Sequence, residues 1–159
     1  PALLSEELKE ELSLLPKGLL HLEAGIQSLR EPVLEKSRRM GKLSDALDGL
    51  RFLCALPNME THADLIAGLP LYHLHEIFED VRTLAEYAAG EIQLESLKLL
   101  PGTEMRRRAE ESGIKYSPLP PYEVLQTHEI NVSELQTARQ LSRLLDGFLQ
   151  HTGMAGTDT

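Results

Sequence analysis

At 159 residues the chain is long enough for one domain around a single core, and its 42% apolar and 26% charged content excludes wholesale disorder. A net charge of −9, with a pI near 5.1, excludes a nucleic-acid partner held by phosphate contacts, because the chain would repel that backbone. One cysteine, Cys54, excludes a disulfide framework and an all-cysteine metal site within one chain.

Aromatic residues are scarce at 4%, with no Trp, so the core must rest on Leu, Ile, Val and Ala. No apolar stretch approaches the ~20 residues of a membrane span, and there is no basic leader followed by an apolar run. A soluble cytoplasmic protein without a membrane partner is expected. The chain opens at Pro1, directly before the charged run Ser5-Glu6-Glu7-Leu8-Lys9, which suggests a fragment of a larger protein.

Leu3, Leu4, Leu8, Leu12 and Leu15 mark a first helical stripe, stopped by Pro16 and Gly18. A strand follows over about 19–26. A short helix over 31–39 carries Pro32 in its first turn, and a second runs over about 44–56, with Gly41 between them and Pro57 beyond. Cys54 lies in the apolar run 50–56, where a buried, inert thiol is expected. The second strand spans 60–68. A long helix over about 73–89 has Leu74, Ile77, Phe78, Val81, Leu84 and Ala85 at core spacing, and Gly90 is placed to cap it. A third strand runs from 91 to about 99. Pro101-Gly102 then leads into a helix over 103–112 with Thr103 as N-cap, and Arg106-Arg107-Arg108 reads as its solvated face.

Beyond this the rhythm changes. Ser117-Pro118-Leu119-Pro120-Pro121 reads as an extended linker, 122–126 as a short strand, and 133–150 as a final helix opened by a Ser133/Gln136 capping box. The expected organisation is 1–116 as the main α/β unit, 117–152 as a C-terminal extension and 153–159 as a disordered tail.

Side chains alternate across a strand, so each strand can be divided by parity. Leu20, Leu22, Ala24 and Ile26 oppose His21, Glu23, Gly25 and Gln27. Ala63, Leu65, Ala67 and Leu69 oppose His62, Asp64, Ile66 and Gly68. Ile92, Leu94 and Ser96 oppose Gln93, Glu95 and Leu97. The βα rhythm implies parallel strands, yet a parallel sheet covered on both sides reads as continuous apolar runs. Here one face carries two histidines, three carboxylates and two glutamines. It must meet solvent, line a wet cavity or hold a polar ligand, since burying such groups without partners costs several kcal/mol each. Ligands of open α/β sheets bind at the carboxyl ends of the strands, where Gln27, Ser28, Gly68, Leu69 and Pro70 fall. Asp64, just below, suits a ribose diol, each oxygen accepting one hydroxyl proton.

Three segments carry a resemblance when taken together: Leu22-Glu23-Ala24-Gly25-Ile26-Gln27-Ser28, His62-Ala63-Asp64-Leu65-Ile66-Ala67-Gly68-Leu69-Pro70, and Leu99-Leu100-Pro101-Gly102-Thr103. Their order and separation resemble the C-terminal half of the radical S-adenosylmethionine (radical SAM) barrel of Fe–S oxidoreductases. The similarity is to the branch whose members often carry an N-terminal cobalamin-binding domain. The segment 120–127 is similar to the C-terminal extension of a subgroup there, so the resemblance covers about residues 19–150. It implies a partial (β/α)6 barrel, this chain supplying about three strands, flanking helices and a C-terminal helical extension. It implies reductive cleavage of S-adenosylmethionine to a 5′-deoxyadenosyl radical or, in some cobalamin-using members, methyl transfer.

By the same resemblance Gln27 and Asp64 would bond the ribose and methionine portion of the cofactor. Arg39, with Arg38 as the substitute, would meet the methionine carboxylate. Ile66 would wall the adenine, and Gly68 would allow close backbone approach. The sequence departs from the family pattern in two places. The CxxxCxxC loop that holds the [4Fe–4S] cluster is absent, and Cys54 cannot replace it, because a cubane needs several thiolates. The glycine-rich pattern of the second strand has Asp64 where Gly is usual and Leu71 where Glu is usual.

Other arrangements are weaker. His73 and His75 are two apart on a helix and point in different directions; His75 and Glu79 share a face but fall short of the three or four ligands zinc takes. Glu23 and Glu95 could form a carboxylate pair for acid–base work. Two functions remain as expectations. One is part of a radical SAM enzyme acting on an undefined small molecule, inactive without the cluster-binding half of its barrel. The other is a non-catalytic α/β interaction module. Either leaves bare strand edges that favour a homodimer.

Overall fold

A computed structural model describes residues 1–39, 41–87 and 91–152, the side chains of 87 and 147–152 excepted. The elements run α1 (Glu6–Leu14), β1 (His21–Gln27), α2 (Glu31–Lys36), α3 (Leu43–Ala55), β2 (Glu60–Ala67), α4 (Leu74–Tyr87), β3 (Glu91–Ser96), α5 (Glu104–Arg107), β4 (Lys115–Tyr116), β5 (Val124–Gln126) and α6 (Val132–Thr152). The three long strands form one parallel sheet in the order β1-β2-β3, and β4 and β5 form a small antiparallel pair. The chain is therefore an α/β protein with a three-stranded parallel sheet and flanking helices. The expected Gly90 cap and the tail 153–159 lie outside the described residues.

The parity split holds in the register. Ala24 pairs with Ala63 and Ala63 with Ile92, while Glu23 pairs with His62 and His62 with Glu91. Ala24, Ile26, Ala63, Leu65, Ala67, Ile92 and Leu94 are buried. α3 packs against β1 and β2, and α4 against β2 and β3, bringing Leu50, Leu53, Ile77, Val81 and Leu84 into the same core. Each fully buried Leu or Ile there contributes about 1.5–3 kcal/mol through lost contact with water. The other face stays open, with Glu23 and Glu95 exposed.

Several expectations need correction. Leu12 is the only buried residue of α1; Leu3 and Leu8 face solvent, and the helix is tethered instead by Asn58, whose Nδ2 donates to the Leu12 and Leu15 carbonyls. On α4, Phe78 and Ala85 are exposed, and the polar Asp80 takes a core position. Thr103 caps α5 as expected, accepting from the Arg106 N–H, but the helix closes after one turn. Arg106 is not a solvated residue: its guanidinium lies 5.1 Å from the Tyr116 ring and 4.6 Å from the Tyr122 ring, and donates to the Leu99 carbonyl.

The segment 117–121 bends rather than extending, because the Ser117 N–H donates to the Glu123 carbonyl and closes the β4–β5 connection. The C-terminal extension is also not a separate layer. The Val124 N–H donates to the Leu97 carbonyl, α6 packs against β3, and Val124, Ile130, Leu135 and Ala138 join the common core. The capping box of α6 uses Asn131 and Glu134: Asn131 Oδ1 accepts from the Glu134 N–H, and Glu134 Oε2 accepts from the Asn131 N–H.

Candidate functional site

The carboxyl end of β1 is irregular. Gly25 pairs with Asp64, but the next partner of Leu65 is Gln27, so Ile26 is the extra residue of a bulge. Gln27 has φ +73°, a left-handed conformation unusual for a side chain of its size. Bulges and such strained residues cluster where a side chain must be re-aimed. Here the Gln27 amide folds back over Gly25: a Cβ built on Gly25 would lie 2.5 Å from Gln27 Nε2 and 2.9 Å from Arg39 Nη2. Arg39 Nη2 also donates to the Gly25 carbonyl at 2.9 Å. Glycine at 25 leaves room for these two side-chain ends, which occupy the space a Cβ would fill.

Asp64 is the strand neighbour of Gly25 on the same open face. Its Oδ1 is buried without a hydrogen-bond partner. Burial first, then the carboxylates of Glu23 and Glu95, push its pKa up, while His62 opposes them. Gln27 and Arg39 thus come together over Gly25, with Asp64 beside it on the neighbouring strand. Ile66 is half-buried further along β2. Gly68, with φ +92°, turns the side that would bear a Cβ towards Val124 at 3.3 Å and Leu135 at 3.6 Å. Arg38 points elsewhere, pairing with Glu104, beside a groove of 240 Å³ lined in part by Lys36, Pro70 and Met105.

Behind this end of the sheet lies a polar network that reasoning from sequence missed. Asp80, 1% exposed, accepts from Ser28 Oγ at 3.1 Å, the Leu29 N–H at 2.8 Å and the buried Tyr72 hydroxyl at 2.6 Å, and Arg30 Nε donates to its other oxygen at 2.9 Å. Burial and the neighbouring carboxylate push the Tyr72 pKa up, so the phenol stays a donor. The network locks the loops after β1 and β2 onto α4 and fixes the platform that carries Gln27. Its signal in the sequence was an acidic residue breaking the apolar stripe of α4.

Cys54 is half-buried in α3, and burial pushes its thiol pKa up, consistent with an inert side chain. The His73 and His75 rings lie 5.5 Å apart, centroid to centroid. No described helix is long and apolar enough to cross a membrane.

Fold and geometry together define an α/β chain with a parallel sheet, one open polar face and a bulged strand end where Gln27 and Arg39 meet over Gly25 beside Asp64. Searches against family models and curated proteins return no match.

Proposed function

We propose that the chain forms the C-terminal part of a radical SAM barrel, and that the carboxyl ends of β1 and β2 take the ribose and methionine portion of S-adenosylmethionine. The observation that carries this reading is Asp64 Oδ1, buried and unpartnered beside the glycine over which Gln27 and Arg39 end. A ribose diol supplies hydroxyl donors of the kind that oxygen lacks. The Arg39 guanidinium matches the methionine carboxylate, and Gln27 adds an amide donor and acceptor. Ile66 serves as the apolar wall for adenine, and Gly68 keeps the strand end compact under Val124. The ordered motifs from 22 to 103 support the family reading.

In that family S-adenosylmethionine supplies a 5′-deoxyadenosyl radical on reductive cleavage or, with cobalamin, a methyl group. This chain does not fit the [4Fe–4S] cluster itself, because Cys54 is its single cysteine. The cluster ligands are assigned to a preceding half of the barrel, which is the chain's principal partner in this reading. A non-catalytic interaction module is the second reading, favoured by the outer edge of β1, which has no strand partner among the described residues.

The test is anaerobic expression of the full-length gene followed by assays for iron, cobalamin and 5′-deoxyadenosine. Iron-loaded protein that releases the nucleoside is expected, with Asp64→Asn weakening cofactor affinity about tenfold, the scale of a lost hydrogen bond to a charged group. An iron-free product that releases none would leave the interaction module.

A further inference from the structure

A second polar cluster sits at the opposite end of the sheet. His21 opens β1, His62 is the third residue of β2 and Glu91 opens β3. All three lie on the open face, with Glu91 directly beside His62 in the register. One ligand atom from each of His21, His62 and Glu91 lies within 4.8 Å of the others. The geometry points to a zinc-class divalent metal site made by these three side chains, bridging the amino ends of all three strands.

The donor chemistry is the first support. Two imidazoles and one carboxylate form a known zinc ligand set that leaves a fourth position for water. Ligand atoms about 2.1 Å from a tetrahedral ion sit about 3.4 Å from one another. The His21 and Glu91 side chains are 46% and 39% exposed, which leaves His21 free to move in and Glu91 free to move back from His62 to admit an ion. His62 is the fixed member, with its side chain 9% exposed.

The second support is the hydrogen bonding of His62. Its Nδ1 lies 2.6 Å from the Gln93 side-chain amide. Its Nε2 is buried and satisfies no hydrogen bond, although it meets the Glu91 carboxylate head-on. As placed, Gln93 Nε2 donates to Nδ1 and the imidazole presents Nε2–H to the Glu91 carboxylate; metal binding at Nε2 requires the Gln93 amide to turn over so that its oxygen accepts from Nδ1–H.

His21 supplies the third ligand. Its ring stands edge-on to His62 with centroids 4.1 Å apart, which brings a second imidazole to the point where His62 meets Glu91. His21 Nδ1 in turn meets Glu60 Oε2 at 3.3 Å. Both imidazoles thus have one nitrogen engaged by a side chain from the neighbouring strand, the outer-shell arrangement that orients metal-binding histidines.

The site lies at the amino ends of the strands; His62 precedes Asp64 by two residues on the same face of β2 and already acts on that carboxylate, but the three ligands do not depend on the cofactor proposed at the carboxyl ends. Its effect is to tie three strand starts together. A metal that binds the folded chain and not the unfolded one stabilises the fold by mass action.

The full chain, stripped with a chelator, is titrated with Zn²⁺ by calorimetry and with Co²⁺ by visible absorption. One zinc per chain, a raised Tm and the intense bands of low-coordinate cobalt are expected. His21→Ala and Glu91→Gln, both at accessible positions, should leave the Tm of the metal-free chain unchanged and lower zinc affinity at least about tenfold; Glu60→Gln should lower it by about the same factor. His73→Ala with His75→Ala should leave it unchanged. An absence of zinc heat with a cobalt spectrum of the hydrated ion would overturn the site. So would zinc binding that His21→Ala and Glu91→Gln leave intact.

Discussion

Asp64 and Asp80 are carboxylates a short distance apart in sequence with opposite surroundings. Asp64 has neighbours of its own sign and an oxygen without a partner, so folding raises its pKa above the ordinary 3.8. The folded chain then holds that proton more tightly than the unfolded chain. The stability this group contributes is full below pH 3.8 and is lost as pH rises through the raised folded value. Asp64→Asn should therefore stabilise the ligand-free chain by about 0.5 kcal/mol at pH 7, a modest figure because solvent reaches the site. The gain should vanish in acid, and urea unfolding of both proteins at the two pH values checks it. Stability gained where binding is lost is the pattern of a functional residue. Asp80 is held quite differently, with four donors around its two oxygens. Asp80→Ala should cost about 3 kcal/mol by leaving the buried Ser28 and Tyr72 hydroxyls without their acceptor, Arg30 keeping Glu79, and Tyr72→Phe about 1.5 kcal/mol, one hydrogen bond to a charged acceptor.

At the scale of elements, what could be read from sequence was whatever repeats. The period of two along β1, β2 and β3 divided apolar from polar residues correctly, since the pleat decides it regardless of surroundings. The bulge at Ile26 escaped because an inserted residue leaves no mark in the pattern. Gln27 was placed on the polar face by parity, and it reaches that face only through its left-handed backbone. The start of α6 shows the limit of local signals. Asn131 and Glu134 form one box and Ser133 and Gln136 offer another, and the choice is made outside the helix. The Thr127 hydroxyl accepts from the Glu129 and Ile130 N–H groups, turning the chain so that Asn131 arrives at the cap. Asn131→Ala should cost about 1 kcal/mol, and Ser133→Ala a few tenths, in thermal unfolding. The site was legible as a list of polar residues at strand ends. Its convergence on Gly25 was not, because that depends on Arg39 returning from beyond α2. Gly25→Ala should keep the fold, since only flexible side-chain ends need to move, while displacing Gln27 and Arg39 together. Unchanged S-adenosylmethionine affinity in the full-length protein carrying it would remove Gly25 from the site.

For the molecule as a whole, the two edges of the sheet differ. β3 is flanked by α6, and the Leu97 carbonyl beyond it accepts from Val124, so the C-terminal extension guards that side. β1 has no strand beyond it among the described residues, and it is entered through Leu19 and Leu20, 60% and 37% exposed. An open strand edge beside exposed leucines invites another strand. On the barrel reading proposed above that strand would come from a preceding half; for this chain alone, a second copy is the available partner. The chain should therefore self-associate with rising concentration in size-exclusion chromatography with light scattering. Leu20→Lys, a charge at an accessible position, should shift it to monomer without lowering the Tm. A wild-type chain that stays monomeric at high concentration would mean that side chains such as Arg39, already bonded to the Gly25 carbonyl, blunt the β1 edge by themselves.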